Sequence, residues 1–268
     1  MIDQSQASSN GPECRIWWCL TGHLAFLPIH AAGIYDENAP LGSKLSDFAV
    51  SSYTPTLTAL LNCHDKHPPR KPQMLVVAQP SAPGLPTLPG TREEAKRIEQ
   101  CIKTSGLPLS LLIDRSEEEV IKGMEQSSWV HFACHGIQDS VNPTQSALIL
   151  KGGVCLTLSK ISQLSLSHAE LAFLSACQTA TGDEVMSEEA VHLAAGMLLA
   201  GYRGVIATMW SIMDNEAPQV ANEVYRKFFE ERAPNSLRTA HFLHAAVQKL
   251  RVEGKSFLSW VPFVHYGF

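Results

Sequence analysis

WVHFACHG (residues 129–136) and ELAFLSACQ (residues 170–178) are the two stretches that decide the fold of this 268-residue chain. Each opens with an apolar run of strand length, typical of a strand that is buried on both faces. The first run predicts a strand over 129–133, followed by His135 and Gly136. The second predicts a strand over 170–176, followed by Cys177. Two buried strands should therefore end beside a histidine and a cysteine.

Similar runs alternate with segments of helical periodicity along the rest of the chain. Further strands are predicted over residues 15–20, 74–78, 109–113, 146–150 and 204–210. Helices are predicted over residues 55–61, 91–104, 116–126, 187–201, 217–228 and 237–251, with a short one near 157. Strands separated by helices of this length pair in parallel. The pattern indicates a three-layer α/β sandwich.

Local signals mark where two of these helices begin. Thr91 with Glu94, and Ser116 with Glu119, have the spacing of a capping box. The loop Gln79–Gly90 before the first of them holds four prolines, which exclude regular structure. The sequence leaves open whether this loop gates a site or only connects elements across the surface.

Composition excludes several classes of protein. Hydrophobic residues make up 45% of the chain and charged residues 18%, so a packed core is expected rather than a disordered chain. The net charge of -5 gives no electrostatic reason to bind nucleic acid or an anionic membrane. No apolar run reaches the roughly 18 residues of a membrane span, and the polar start lacks the layout of a signal peptide.

The cysteines point to a reducing compartment. There are seven, an odd number without any CxxC pair, which does not fit a disulfide framework or a zinc site. We therefore expect a cytoplasmic, intracellular protein. The histidines show no ligand spacing and no phosphate-binding loop is present, so neither metal nor cofactor is expected.

His135 and Cys177 are the candidate catalytic residues, because functional groups collect at the carboxyl ends of parallel strands. A thiolate nucleophile, an imidazole acid–base and amide donors for an oxyanion form a peptidase site. The N–H groups of Gly136 and Cys177 are the candidate donors. Cys177 read alone would be a small buried residue. Cys134 is a rival nucleophile, but alternation along the strand directs it away from the His135 face and into the core. His131, on the His135 face, is expected to be structural.

The quoted motifs together resemble a known family. HFACHG, then LAFLSACQTATGD, then AAGMLLAGYRGVIATMWSIMD resemble the CHAT domain family of caspase- and separase-like cysteine peptidases of clan CD, found in fungal and bacterial proteins beside TPR repeats. WWCLTGHLAFLPIHAAG, SSYTPTLTAL and LPGTREEA fit it too. The resemblance implies a caspase-like three-layer α/β/α sandwich with a mostly parallel central sheet over residues 15–268. Residues 1–14 would be a disordered or irregular segment.

The resemblance also implies an activity. His135 and Cys177 would form a dyad that cleaves protein substrates through an acyl-enzyme thioester. Asp214, in MWSIMD, matches the position that accepts a basic P1 side chain in separase-like relatives, although this stretch departs from their usual pattern. Asp214 is equally suited to cap the next helix. The implied partners are a protein substrate and TPR-type helical repeats or a regulatory protein; no such repeats are visible here.

Three alternatives stand against a peptidase. A catalytically silent CHAT-like module would act in protein–protein interaction or signalling, which the presence of both His135 and Cys177 disfavours. An α/β-hydrolase requires a GxSxG motif that SACQT does not provide. A nucleotide-binding module lacks its phosphate loop.

Overall fold

The computed structural model describes residues 12, 14–36, 38–40, 42–64, 72–137, 139, 141–164, 166–178, 189–210, 212, 217–231 and 234–268. The strands are β1 (Cys14–Trp18), β2 (Ala49–Tyr53), β3 (Met74–Ala78), β4 (Leu109–Ile113), β5 (Trp129–Ile137), β6 (Ala147–Ile149), β7 (Cys155–Thr157), β8 (Leu171–Gln178), β9 (Gly204–Thr208) and β10 (Phe263–Gly267). The α-helices are α1 (Leu57–His64), α2 (Gly90–Lys103), α3 (Glu117–Gln126), α4 (Leu158–Gln163), α5 (Glu189–Ala200), α6 (Ala217–Glu230), α7 (Thr239–Val252) and α8 (Phe257–Trp260).

A single sheet organises these elements. Its strand order is β1-β2-β10-β9-β8-β5-β3-β4, with β6 and β7 attached at the end of β5. Neighbours on the main path pair in parallel, except that β10 runs antiparallel to β9. The predicted mostly parallel sheet is confirmed.

Each face of the sheet carries its own hydrophobic core, because alternate strand residues point to opposite faces. One core packs β-strand residues against α2, α6 and α7, with Phe228 and Trp129 fully buried at its centre. The other packs the opposite face against α1, α3, α4 and α5, and includes Cys134. Helices therefore cover both faces, and the predicted three-layer sandwich is confirmed.

Three strands of the sheet, β2, β7 and β10, were not predicted from the sequence. Strand β2 has the sequence AVSSY and β10 the sequence FVHYG, and both contain polar residues that are buried. Ser52 and His265 are buried because their side chains contact each other, with the Ser52 Oγ atom 3.1 Å from His265 Nδ1. Apolar runs alone do not detect strands whose polar residues are paired inside the fold.

One of the two predicted capping boxes is wrong. Ser116 and Glu119 form theirs, with reciprocal bonds of 3.0 and 3.4 Å. Thr91 instead donates its hydroxyl to the Leu88 carbonyl, and the Glu94 side chain is buried rather than folded back on the helix start. The reason is that α2 begins at Gly90, one residue earlier than predicted, and its inner face lies against the sheet.

A buried ion pair joins the amino ends of β8 and β9. Arg203 Nη1 lies 3.4 Å from Glu170 Oε1, and only 6% of each side chain is exposed. Ser236 donates its hydroxyl to Glu170 Oε2, and Arg203 Nε donates to the Cys63 carbonyl at 3.1 Å. These contacts compensate both charges, which is the condition for burying them.

Histidines line a cavity of about 40 Å³ between α7 and strands β2 and β10. Burial lowers the pKa of His30 to about 4, and burial with the nearby charges of His241 and Arg251 lowers the pKa of His244 to about 4. Burial and Arg15 also lower the pKa of His265. All three are therefore held neutral in the fold.

Acid should destabilise the protein through these histidines. Their folded-state pKa values lie below the ordinary 6.5, so the unfolded chain binds protons first. The contribution of these neutral histidines to the free energy of unfolding is fully present above pH 6.5 and is lost as the pH falls towards 4. Urea unfolding across this range should show it. The His30→Gln variant has no imidazole to protonate, so the free energy of unfolding that it loses between pH 6.5 and 4 should be about 2–3 kcal/mol smaller than in the wild type. An unchanged pH dependence in this variant would show that His30 does not cause the acid sensitivity.

Candidate active site

The carboxyl ends of β5 and β8 project beyond their outer neighbours. The register of β3 with β5 ends at the pair Ala78 and Ala133. The register of β9 with β8 ends at Ile206 and Phe173. The pairing of β5 with β8 continues to Gly136 and Gln178. Beyond these points β5 pairs with β6 at Gly136 and Ile137. The two strand ends therefore lie at the carboxyl edge of the parallel sheet, which is where α/β folds bind ligands.

The projecting ends bring the two predicted catalytic positions together. His135 and Cys177 are Cα partners in the parallel register, and neighbouring strands lie about 4.8 Å apart. Both residues belong to the strands themselves, so β5 and β8 are longer than predicted; mutual pairing extends them past their apolar runs. The backbone of Cys177 is described, whereas its side chain lies outside the described part of the structure.

The His135 ring is held by a backbone carbonyl. Its Nε2 atom lies 2.7 Å from the Pro86 oxygen, and the residue is only 1% exposed. A carbonyl can only accept, so Nε2 carries the hydrogen and donates it. The Nδ1 atom is buried and has no hydrogen-bond partner among the described residues. This arrangement leaves Nδ1 as the basic nitrogen of the neutral ring.

The loop Gln79–Gly90 supplies that carbonyl, so it is part of the site and more than a surface connection. Its start is anchored: the Gln79 N–H donates to the Ala133 carbonyl at 2.8 Å, and its side-chain amide donates to Asp114 Oδ1 at 2.8 Å. Ala82 and Leu88 are buried. Gating by this loop stays a prediction.

A buried polar network lies beneath the dyad positions on the same sheet face as His135. Ser175, two residues before Cys177, donates its hydroxyl to Glu94 Oε2 at 3.0 Å. His131 Nε2 lies 3.1 Å from Glu94 Oε1, a close contact without the geometry of a hydrogen bond, and its Nδ1 lies 3.2 Å from the Tyr225 hydroxyl. Burial, with the Glu94 charge adding to it, raises the pKa of Tyr225 far above 10, so this phenol stays neutral.

The remaining candidate residues, Cys134, Gly136 and Asp214, lie in three different settings. Cys134 is fully buried in the core of the opposite face, which confirms the prediction for it. Gly136 was expected in a turn but lies within β5, paired with Leu148 of β6 as well as with Gln178. Asp214 lies outside the described residues. Among the described residues, no group of His, Cys, Asp and Glu side chains is arranged to hold a metal.

Two features of the site had escaped the sequence analysis: the Pro86 carbonyl and the Glu94–Ser175 contact. A backbone carbonyl has no residue type that signals its role. The only available hint was a proline-rich loop at the carboxyl end of a predicted strand.

No helix in the described part of the chain is both long and apolar enough to cross a membrane.

Solved structures show the same fold class. The Arg-specific cysteine proteinase gingipain R superposes with a TM-score of 0.56 at 15% identity, covering 84% of this chain and 56% of that one. Separase in the Saccharomyces cerevisiae separase–securin complex gives 0.57 at 16% identity, covering 84% of this chain and 14% of that one. This chain thus spans less than two-thirds of either neighbour. No curated protein sequence matches it.

The fold is that of the caspase-like peptidases. The sequence profile of the CHAT domain matches residues 2–268. The chain therefore belongs to the CHAT domain family. Its match begins ahead of β1 (Cys14–Trp18); of the segment 1–14 that was expected to be irregular, only Pro12 and Cys14 are described.

Proposed function

We propose that this protein is a cysteine endopeptidase in which Cys177 is the nucleophile and His135 the acid–base residue. The observation that carries the proposal is the pairing of these two positions across adjacent projecting strands, with the His135 ring held by Pro86 so that Nδ1 is the base. Membership of the CHAT family and the caspase-like fold support it.

The reaction follows from the groups present. His135 Nδ1 takes the proton of the Cys177 thiol, and the sulfur forms a bond to the carbonyl carbon of the scissile peptide. The backbone N–H groups of Gly136 and Cys177 are the proposed donors to the oxyanion. The protonated imidazole then gives its proton to the leaving amine, and a thioester remains. Nδ1 next takes a proton from water, whose oxygen forms a bond to the thioester carbonyl carbon. The C–S bond then breaks, the acid is released, and the proton on Nδ1 returns to the Cys177 sulfur.

Pro86 has a defined part in this cycle. Its carbonyl keeps Nε2 protonated and orients the ring, and it stabilises the positive charge that the ring acquires when Nδ1 is protonated. The carbonyl thereby does in this site what a carboxylate does in a Ser-His-Asp triad, although with a dipole in place of a full charge.

Asp214 is the proposed determinant of P1 specificity, through pairing with an arginine or lysine side chain of the substrate. Its place four residues after Trp210, just ahead of α6, supports the proposal. The structural neighbour gingipain R is itself described as Arg-specific. Capping of α6 is the competing role, and both roles are compatible with one carboxylate.

A peptide library with all P1 residues tests the proposed activity and its specificity. The wild type should prefer basic P1 residues, and Asp214→Asn should lower kcat/KM for basic peptides by roughly 30-fold or more, since removing one partner of a desolvated charge pair costs about 2 kcal/mol or more. Neutral P1 peptides should be cleaved equally by both. Melting temperatures of the two proteins control for the capping role. Cleavage without basic preference in the wild type would eliminate the pocket but not the dyad.

Partners and location extend the proposal. The substrate would be a protein, and TPR-type repeats or a regulatory protein would present it to the site. A reducing, intracellular compartment suits a free catalytic thiol. No disulfide joins the six described cysteine side chains, two of which, Cys63 and Cys134, are buried.

A further inference from the structure

The end of β8 that carries Cys177 extends past its register with β9. Among the described residues, its pairing with β9 ends at Phe173, whereas its pairing with β5 continues to Gln178. A strand end that runs past the register of a neighbour depends more on its remaining contacts. Yet this segment carries Cys177, and misplacing a reacting group by about 1 Å can cost about 100-fold in rate.

The contact between Glu94 and Ser175 is the described side-chain anchor of this segment. Ser175 is 4% exposed and Glu94 is 2% exposed. Their hydrogen bond of 3.0 Å ties this end of β8 to helix α2. A carboxyl group is costly to bury, so its place under the site calls for partners that use it.

The same carboxyl group reaches the other two parts of the site. Its Oε1 atom lies 3.1 Å from His131 Nε2, and His131 lies on β5 four residues before His135. Glu94 also stands in the first turns of α2, directly after the loop that carries Pro86. One side chain therefore contacts both catalytic strands and belongs to the helix that ends the loop.

We propose that Glu94, acting through Ser175 and His131, is a positioning residue that aligns the Cys177 end of β8 with His135 and with the Pro86 carbonyl. It touches no reacting atom. This inference rests on the proposed peptidase function, since it assigns a role within that site. It differs from a purely structural role because it predicts a loss of rate beyond any loss of stability.

The chain offers a matched control. Ser236 also donates its hydroxyl to a buried carboxylate of the β8 segment, that of Glu170, but at the amino end of the strand. Ser175→Ala and Ser236→Ala each remove one buried hydroxyl bonded to one buried carboxylate. The two variants should lose similar amounts in the urea midpoint of unfolding. Only Ser175→Ala lies under the catalytic positions.

The experiment compares kcat and KM of the wild type, Ser175→Ala and Ser236→Ala on the best library peptide. Ser175→Ala should lower kcat by roughly 10–100-fold with KM changed less than about twofold. Ser236→Ala should keep kcat within about twofold of the wild type. Glu94→Gln, which retains an oxygen that can accept from Ser175, should retain more of kcat than Glu94→Ala. Equal kcat in the two serine variants would overturn the proposal.

A second readout separates this inference from the proposed function. The rate of Cys177 alkylation by iodoacetamide, followed across pH by mass spectrometry, reports the coupling of the thiol to His135 without any peptide cleavage. Ser175→Ala should shift that pH profile, and Ser236→Ala should leave it as in the wild type. If the wild type cleaves no peptide, the peptidase proposal fails while this shift still supports positioning. Identical profiles in all three proteins would overturn positioning.

Discussion

Replacing Cys177 or His135 by alanine should lower kcat/KM for peptide hydrolysis by at least about 10³-fold, because each variant removes one half of a unit that acts together. The double variant should be no worse than either single one, since neither residue catalyses the reaction without the other. Initial rates on a basic-P1 peptide measure this. Covalent labelling of Cys177 by a peptide chloromethyl ketone, seen by mass spectrometry, measures it independently.

Cys134→Ala is the matched control for this experiment. It removes a thiol next to His135 along the chain, but that thiol lies in the core on the opposite face of the sheet. The variant should keep wild-type kcat with a small loss of stability. If hydrolysis survives Cys177→Ala and disappears in Cys134→Ala, the nucleophile is Cys134 and the proposed assignment to Cys177 is wrong. A wild type that cleaves nothing and is not labelled would favour the silent interaction module.

Removing the carboxylate of Glu170 should destabilise the fold by about 3–5 kcal/mol, the cost of breaking a buried ion pair by truncating one side chain. Arg203 is 6% exposed in its side chain, and Glu170 is its carboxylate partner in the described structure. Ser236 would lose its acceptor as well. Urea unfolding of Glu170→Ala measures the loss as a lower midpoint with an unchanged slope.

The double variant Glu170→Leu/Arg203→Met provides the complementary measurement. It removes both charges and fills much of their volume with apolar atoms, so it should recover at least half of the stability lost in Glu170→Ala. A double variant as unstable as the single one would show that the hydrogen bond from Arg203 to the Cys63 carbonyl, and not the uncompensated charge, dominates. The kinetic effect should be small in both, because the pair lies at the opposite end of β8 from Cys177.

Residue order alone predicted the layers of the fold, the neighbouring strand ends that carry His135 and Cys177, and the place of Cys134 in the core. These depend on local periodicity: an apolar run reports burial along one strand, and alternation along WVHFACHG separates Cys134 from His135. The strand ends were predicted less well. Pairing between β5 and β8, which no local pattern records, extended both strands through His135 and Cys177.

The contacts around the His135 and Cys177 positions depend on how separate elements pack. Glu94 had the spacing of a helix cap, yet its carboxyl group bonds Ser175, which is far away in the chain but adjacent in space. The Pro86 carbonyl accepts a hydrogen bond from His135, 49 residues along the chain, because the loop that follows β3 returns to the end of β5. A polar group takes the partner that satisfies it when buried, and that partner is set by how separate elements pack, which residue order along one element does not encode.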